Sequence, residues 1–147
     1  MSRKARLATI GLIVIVFLAA SALVARVLAA ASDERAAAIE VIKAQVAGRE
    51  RTVLGLLPGC AQRPPCLARV RGNVARLRRR GAVKVLSVRT PGFALGGRTG
   101  TTRIAWRTGT ALPIVQCVTA RRTGDPIGGY RVRLLDLSKP IGREASC

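Results

Sequence analysis

The chain has 147 residues, enough for one modest domain, and carries 26 Lys and Arg against 7 Asp and Glu with no histidine, a formal net charge of +19. Without histidine there is no imidazole base, no imidazole metal ligand and no Ser-His or Cys-His nucleophile pair. Beyond residue 50 a glycosidase-like pair or a hard-cation site would have to be built from Asp125, Asp136 and Glu144 alone, so composition points away from an enzyme, a resident metal and a cofactor.

The N-terminus is a basic tip, residues 1–6, with Arg3, Lys4 and Arg6. An uncharged stretch follows from Leu7 to Ala25, which as a helix spans roughly 28 Å, close to the ~30 Å hydrocarbon core of a bilayer. We read residues 7–31 as a transmembrane signal-anchor. Basic residues before it, and Asp33 and Glu34 after it, predict a single-pass protein of the cell membrane with its N-terminus in the cytoplasm and its domain outside. A cleaved signal peptide is the alternative, because Ala20-Ser21-Ala22 and Ala29-Ala30-Ala31 offer small residues for a peptidase; the product would be a secreted basic protein. Arg26 is compatible with either, since its side chain can snorkel to the headgroups.

Residues 32–147 form the exported domain. Ser32-Asp33-Glu34 supplies capping and first-turn residues for a helix from about Arg35 to Leu57, whose apolar face is Ile39, Ile42, Val46, Val53 and Leu56, interrupted by Arg49. Pro58-Gly59 ends it. A second helix is expected from Cys66 to Arg80, with Leu67, Val70, Val74 and Leu77 on one side and Gly81 as its C-terminal stop. Arg78, Arg79 and Arg80 then suit the negative end of the helix dipole.

The period then changes from 3.6 to 2. Strands are expected at Val83–Arg89, Thr101–Thr108, Ala111–Arg122 and Gly129–Leu137, separated by Pro91-Gly92, Gly109 and Thr123-Gly124-Asp125-Pro126. Ile104 and Trp106 alternate with Arg103 and Arg107, and Tyr130, Val132 and Leu134 with Arg131 and Arg133, giving one apolar and one basic sheet face. Gly96-Gly97-Arg98-Thr99-Gly100 lacks a P-loop ending and reads as a loop before a strand. The whole is an α+β fold, two helices packed on a four-stranded antiparallel sheet behind a transmembrane helix.

Cys60, Cys66, Cys117 and Cys147 all lie in the exported part, and an even count there implies two disulfides, with three connectivities open. We favour Cys60 with Cys66 across the turn Gln62-Arg63-Pro64-Pro65, leaving Cys117 for Cys147. Zinc sites use closer pairs.

From Arg51 to Gly124 there is no acid at all, so the surface attracts anions. Arg76, Arg78, Arg79 and Arg80 on the second helix, with Arg121, Arg122, Arg131 and Arg133 on the sheet, are the candidate anion- or partner-binding residues. An excess of Arg over Lys beside abundant Ala, Gly and Val is also what a GC-rich genome writes on a solvated surface. Anionic lipid, an envelope polymer or an envelope protein fits such a face better than nucleic acid, because Trp106, Tyr130, Phe17 and Phe93 are the only aromatics for base stacking. A pocket near Trp106 and Tyr130 would instead serve a small-molecule binding domain or an enzyme.

Helix, helix and four-stranded meander resembles the cystatin-like or nuclear transport factor 2-like superfamily, and Gly128-Gly129-Tyr130-Arg131-Val132-Arg133-Leu134 is similar to the Gly-Gly-Trp-Arg-Val ending of its exported bacterial members, with Tyr130 in place of Trp. The resemblance covers residues 32–140. Members with one N-terminal membrane helix, the VirB8-type and Mce-associated proteins, are scaffolds of envelope machines. The resemblance thus implies a non-catalytic binding or assembly role in the cell envelope. A catalytic pocket would have only Tyr130 and Asp136 to use.

Overall fold

The computed structural model describes residues 3–90, 98–125, 127–142 and 145–147. Pro91, Gly92, Phe93, Gly96, Gly97, Pro126 and Glu144, on which the expected turns, loop, stacking and carboxylate pair partly rest, lie outside the described residues. Among the described residues three helices precede four strands: α1 Arg3–Val46, α2 Glu50–Leu56, α3 Pro64–Leu77, β1 Val83–Arg89, β2 Thr99–Thr108, β3 Ile114–Asp125 and β4 Gly129–Leu137.

The apolar run and the helix after it are one element, which corrects the expected break at Ser32-Asp33-Glu34. Those residues do not start a helix. They lie inside α1, and Glu34 is fully buried, accepting a hydrogen bond from the Thr102 hydroxyl at 2.6 Å and pairing with Arg122 at 3.4 Å. The chain breaks instead at Gly48. Its φ of +74° is one that L side chains rarely adopt, and the Gly48 and Arg49 amides donate to Gln45 O (3.0 Å) and Ala44 O (2.9 Å), the paired bonds of a Schellman motif. The expected 35–57 helix is therefore split between α1 and α2.

From Arg6 to Ala29 every residue of α1 is exposed, and Ala30, at 3% exposure, is the first buried one. Beyond it Ala38, Val41, Ile42 and Val46 face the core, meeting Val53 and Leu57 from the α2 region and Val70, Val74 and Leu77 from α3. Pro64 and Pro65 open α3, where missing amide hydrogens cost nothing. The helix ends at Leu77, three residues before expected, because Arg78 turns extended at ψ 123°. Arg78, Arg79 and Arg80 consequently stand outside it, and only Arg76 lies in the last turn.

The sheet is an antiparallel meander in the order β1-β2-β3-β4. β1 and β4 have the expected bounds, while β2 starts two residues earlier and β3 runs Ile114–Asp125 rather than Ala111–Arg122. Thr102, Ile104, Trp106, Gln116, Val118 and Ala120 are buried on the helix-covered face, whereas Arg103 and Arg107 alternate onto the other. Two polar ties set the direction of α1 against the sheet. Gln45 Nε2 donates to Gln116 Oε1 at 2.9 Å, and Glu34 holds Arg122. Going up α1 from Glu34 to Gln45 therefore means going back along β3 from Arg122 to Gln116, so β3 runs down toward the exposed part of α1.

After β4 the chain continues beside β3, with the Ser138 amide donating to Cys117 O and the Ile141 amide to Val115 O, each at 2.8 Å. It then returns to bond Cys147 to Cys117.

Candidate functional site

The cysteines pair as Cys60–Cys66 and Cys117–Cys147, with Cα separations of 5.3 and 5.9 Å. The first closes the turn between α2 and α3. The second anchors the C-terminal segment, where Arg103 also donates to Ala145 O at 3.1 Å.

The eight candidate arginines separate into two places. Arg76, Arg78, Arg79 and Arg80 lie by the far end of α1: the Arg79 amide donates to Val46 O at 3.0 Å, and the Arg78 side chain lies over Gly48. Arg79 also donates to the Arg76 and Arg78 carbonyls, so its guanidinium partly serves the end of α3. Arg121, Arg131 and Arg133 are exposed at the opposite end, on the segments of β3 and β4 nearest the apolar part of α1. There Arg121 stands directly across from Arg133, and Thr123 from Arg131. Arg122 corrects the proposed set. Neighbours on a strand point to opposite faces, and Arg122 points inward, 8% exposed, as the buried partner of Glu34.

Like charges also oppose each other elsewhere on the outer face, Lys84 across from Arg107 and Arg89 across from Arg103. Such pairs are unfavourable without a counter-charge. A cavity of about 450 Å³ opens beside the lower pair, lined by Arg98, Thr99, Arg121, Arg122, Thr123 and Gly124. Two more, about 520 and 380 Å³, run along α3 and the segment after β4, lined in part by Arg69, Arg76 and Lys139.

Trp106 and Tyr130 are not brought together. Trp106 is fully buried and donates its indole N–H to Gln116 Oε1 at 3.0 Å. It pairs across to Ile114, at one end of β3, while Tyr130 pairs with Gly124 near the other, roughly 30 Å along the strand. None of these three cavities is lined by either residue. Of the carboxylates, Asp136 bridges to Arg69 at 3.2 Å, and Asp125 accepts from the Ile127 and Gly128 amides at 2.8 and 2.6 Å. Those two bonds, the Gly128 one foremost, and the nearby Arg26 charge hold the Asp125 carboxyl below its ordinary value.

No family model, no curated protein and no solved structure matches this chain. Its own residues therefore carry the functional reading. Glu34, Gln45, Thr102 and Gln116 are not legible as a polar set in the sequence, because their partners are 68 to 71 positions away. Arg98 is hidden inside a glycine-rich stretch, although its carbonyl accepts from the Arg122 amide at 2.7 Å.

Proposed function

We propose that this chain is a membrane-anchored, non-catalytic binding or scaffold protein whose domain works outside the cytoplasm. The observation that carries the reading is the N-terminal part of α1, long and apolar enough to cross a membrane, in which every residue from Arg6 to Ala29 is exposed. A stretch of exposed Leu, Ile, Val and Phe on all sides of a helix is stable in hydrocarbon and unfavourable in water. Two disulfides support an oxidising compartment for the domain beyond the span. The three basic residues ahead of the span support a cytoplasmic N-terminus. The order of helices followed by a four-stranded meander supports kinship with the cystatin-like, nuclear transport factor 2-like envelope proteins.

Membrane fractionation with alkaline extraction, combined with thiol labelling of unreduced, denatured protein, tests this reading. The full-length mass is expected in the extracted membrane pellet with no reactive thiol. A chain that starts at Leu23 or Ser32, or that labels at all four cysteines, would overturn the anchor or the compartment respectively. Crosslinking of the full chain in its native membrane then identifies what it holds.

A further inference from the structure

Resting on that reading of α1 as a membrane anchor, we infer that the β3–β4 hairpin end of the sheet is a docking surface for anionic phospholipid headgroups of the same membrane. Its position follows from the helix. Glu34 fixes Arg122 beside α1. Three residues further along β3, Asp125 lies about 10 Å lower, and eight residues back along α1, Arg26 lies about 12 Å lower. The hairpin tip thus reaches the level of Arg26, the first charge after the uncharged Leu7–Ala25 span, and the Asp125 carboxyl feels the Arg26 charge. In the anchor reading the Arg26 side chain snorkels to the headgroups, which brings that level to the edge of the hydrocarbon.

The residues at this level suit that surface. Ile127 stands at the tip with 81% of its surface exposed, next to a rim of cations. Arg121 and Arg133 face each other across the strands, Arg131 is exposed beside them, and Arg98 and Arg121 border the 450 Å³ cavity with Thr99 and Thr123. Of the acids here, Glu34 is occupied by Arg122, Asp125 bonds its own turn, and Asp33 stands on α1. A phosphate between Arg121 and Arg133 would offset the repulsion that the fold otherwise bears, and guanidinium planes bind phosphate through two parallel hydrogen bonds. One apolar side chain inserted among basic ones is a familiar arrangement at a membrane interface.

The test uses the full chain in lipid nanodiscs, either phosphatidylcholine alone or phosphatidylcholine with phosphatidylglycerol, each with a photoactivatable lipid of the same headgroup class. Crosslinks are mapped by mass spectrometry. We expect crosslinks on Arg121–Asp125 and Ile127–Arg133 in the anionic discs, reduced roughly ten-fold or more in zwitterionic discs, in about 0.5 M salt, and in R121E/R131E/R133E. The variant R76E/R78E/R80E makes the same change in net charge at the distal end and should leave the crosslinks unchanged. R133Q, which relieves the opposed pair and keeps a polar side chain, serves if the triple variant does not fold, and should lower them several-fold. Equal crosslinking in both lipids, equal loss in both triple variants, or crosslinks confined to residues of α1 would overturn the docking surface while leaving the anchor intact. Recovery of the chain outside the discs would overturn the anchor reading, and the docking surface with it.

Discussion

Glu34 is a buried carboxylate on a helix whose other buried residues are uncharged, and its two partners come from β2 and β3. Removing one member of such a pair leaves the other charged and dry, which costs about 3–5 kcal/mol, whereas replacing both with apolar side chains can be neutral. Glu34→Ala is therefore expected to lower Tm by about 10 °C or more, and E34L/R122M to recover most of that loss in thermal unfolding. Asp125 gives a second, pH-dependent expectation. Its folded pKa is depressed, so its contribution is full above the ordinary value of 3.8 and disappears as pH falls through the lowered folded value. The Ile127 and Gly128 amide resonances should hold steady from pH 7 to about 4 and shift in more acidic solution. In Asp125→Ala they should lack that step.

At the scale of elements, the tip of the hairpin depends on Gly124, whose φ is +106° and whose added Cβ would strike the Gly129 carbonyl oxygen. Backbone cannot move aside as a flexible side chain can, so Gly124→Ala should loosen the β3–β4 turn, read as faster hydrogen exchange of Arg131 to Arg133 with the helices unaffected. The Cys117–Cys147 bond closes a separation of 30 residues. C117S/C147S is expected to cost about 3–4 kcal/mol and to expose the chain after Leu137 to protease. The alternation of the strands and the favoured Cys60–Cys66 pair were legible in the sequence, because period-2 patterns and a Pro-containing turn are local signals, whereas Cys117–Cys147 followed only as the remaining pair. The break between helices was not legible. Ser32-Asp33-Glu34 has the residue types of an N-terminal cap, and only Thr102 and Arg122, distant in sequence, make Glu34 a buried mid-helix residue. Gly48 carried the true signal but sat between Val46 and Val53, apolar positions that fit one helical face on either side of the break. Arg121 and Arg122 show a signal that was present and unused: neighbours in a strand cannot share a face, so a basic surface could take one of them.

At the scale of the whole molecule, charge that looks continuous along the sequence is divided by the fold. The distal arginines flank the end of α1 and the proximal ones flank its exit toward the apolar span, with the length of the sheet between them. Nothing flexible separates span from domain, since α1 is a single helix of 44 residues, about 66 Å long. One alanine inserted between Ala29 and Ala30 should rotate the domain by about 100° about that axis. The lipid crosslinks should then move off the hairpin to another edge, with Tm unchanged. An unjointed helix also acts as a lever. Spans tilt to match the thickness of their bilayer, by about 20° on average, and a tilt of that size would carry the upper end of α1, roughly 25 Å above Ala30, sideways by roughly 9 Å. On the proposed anchor reading, thinning or thickening of the membrane would thereby appear as a lean of the whole domain, which would make it a gauge of its bilayer.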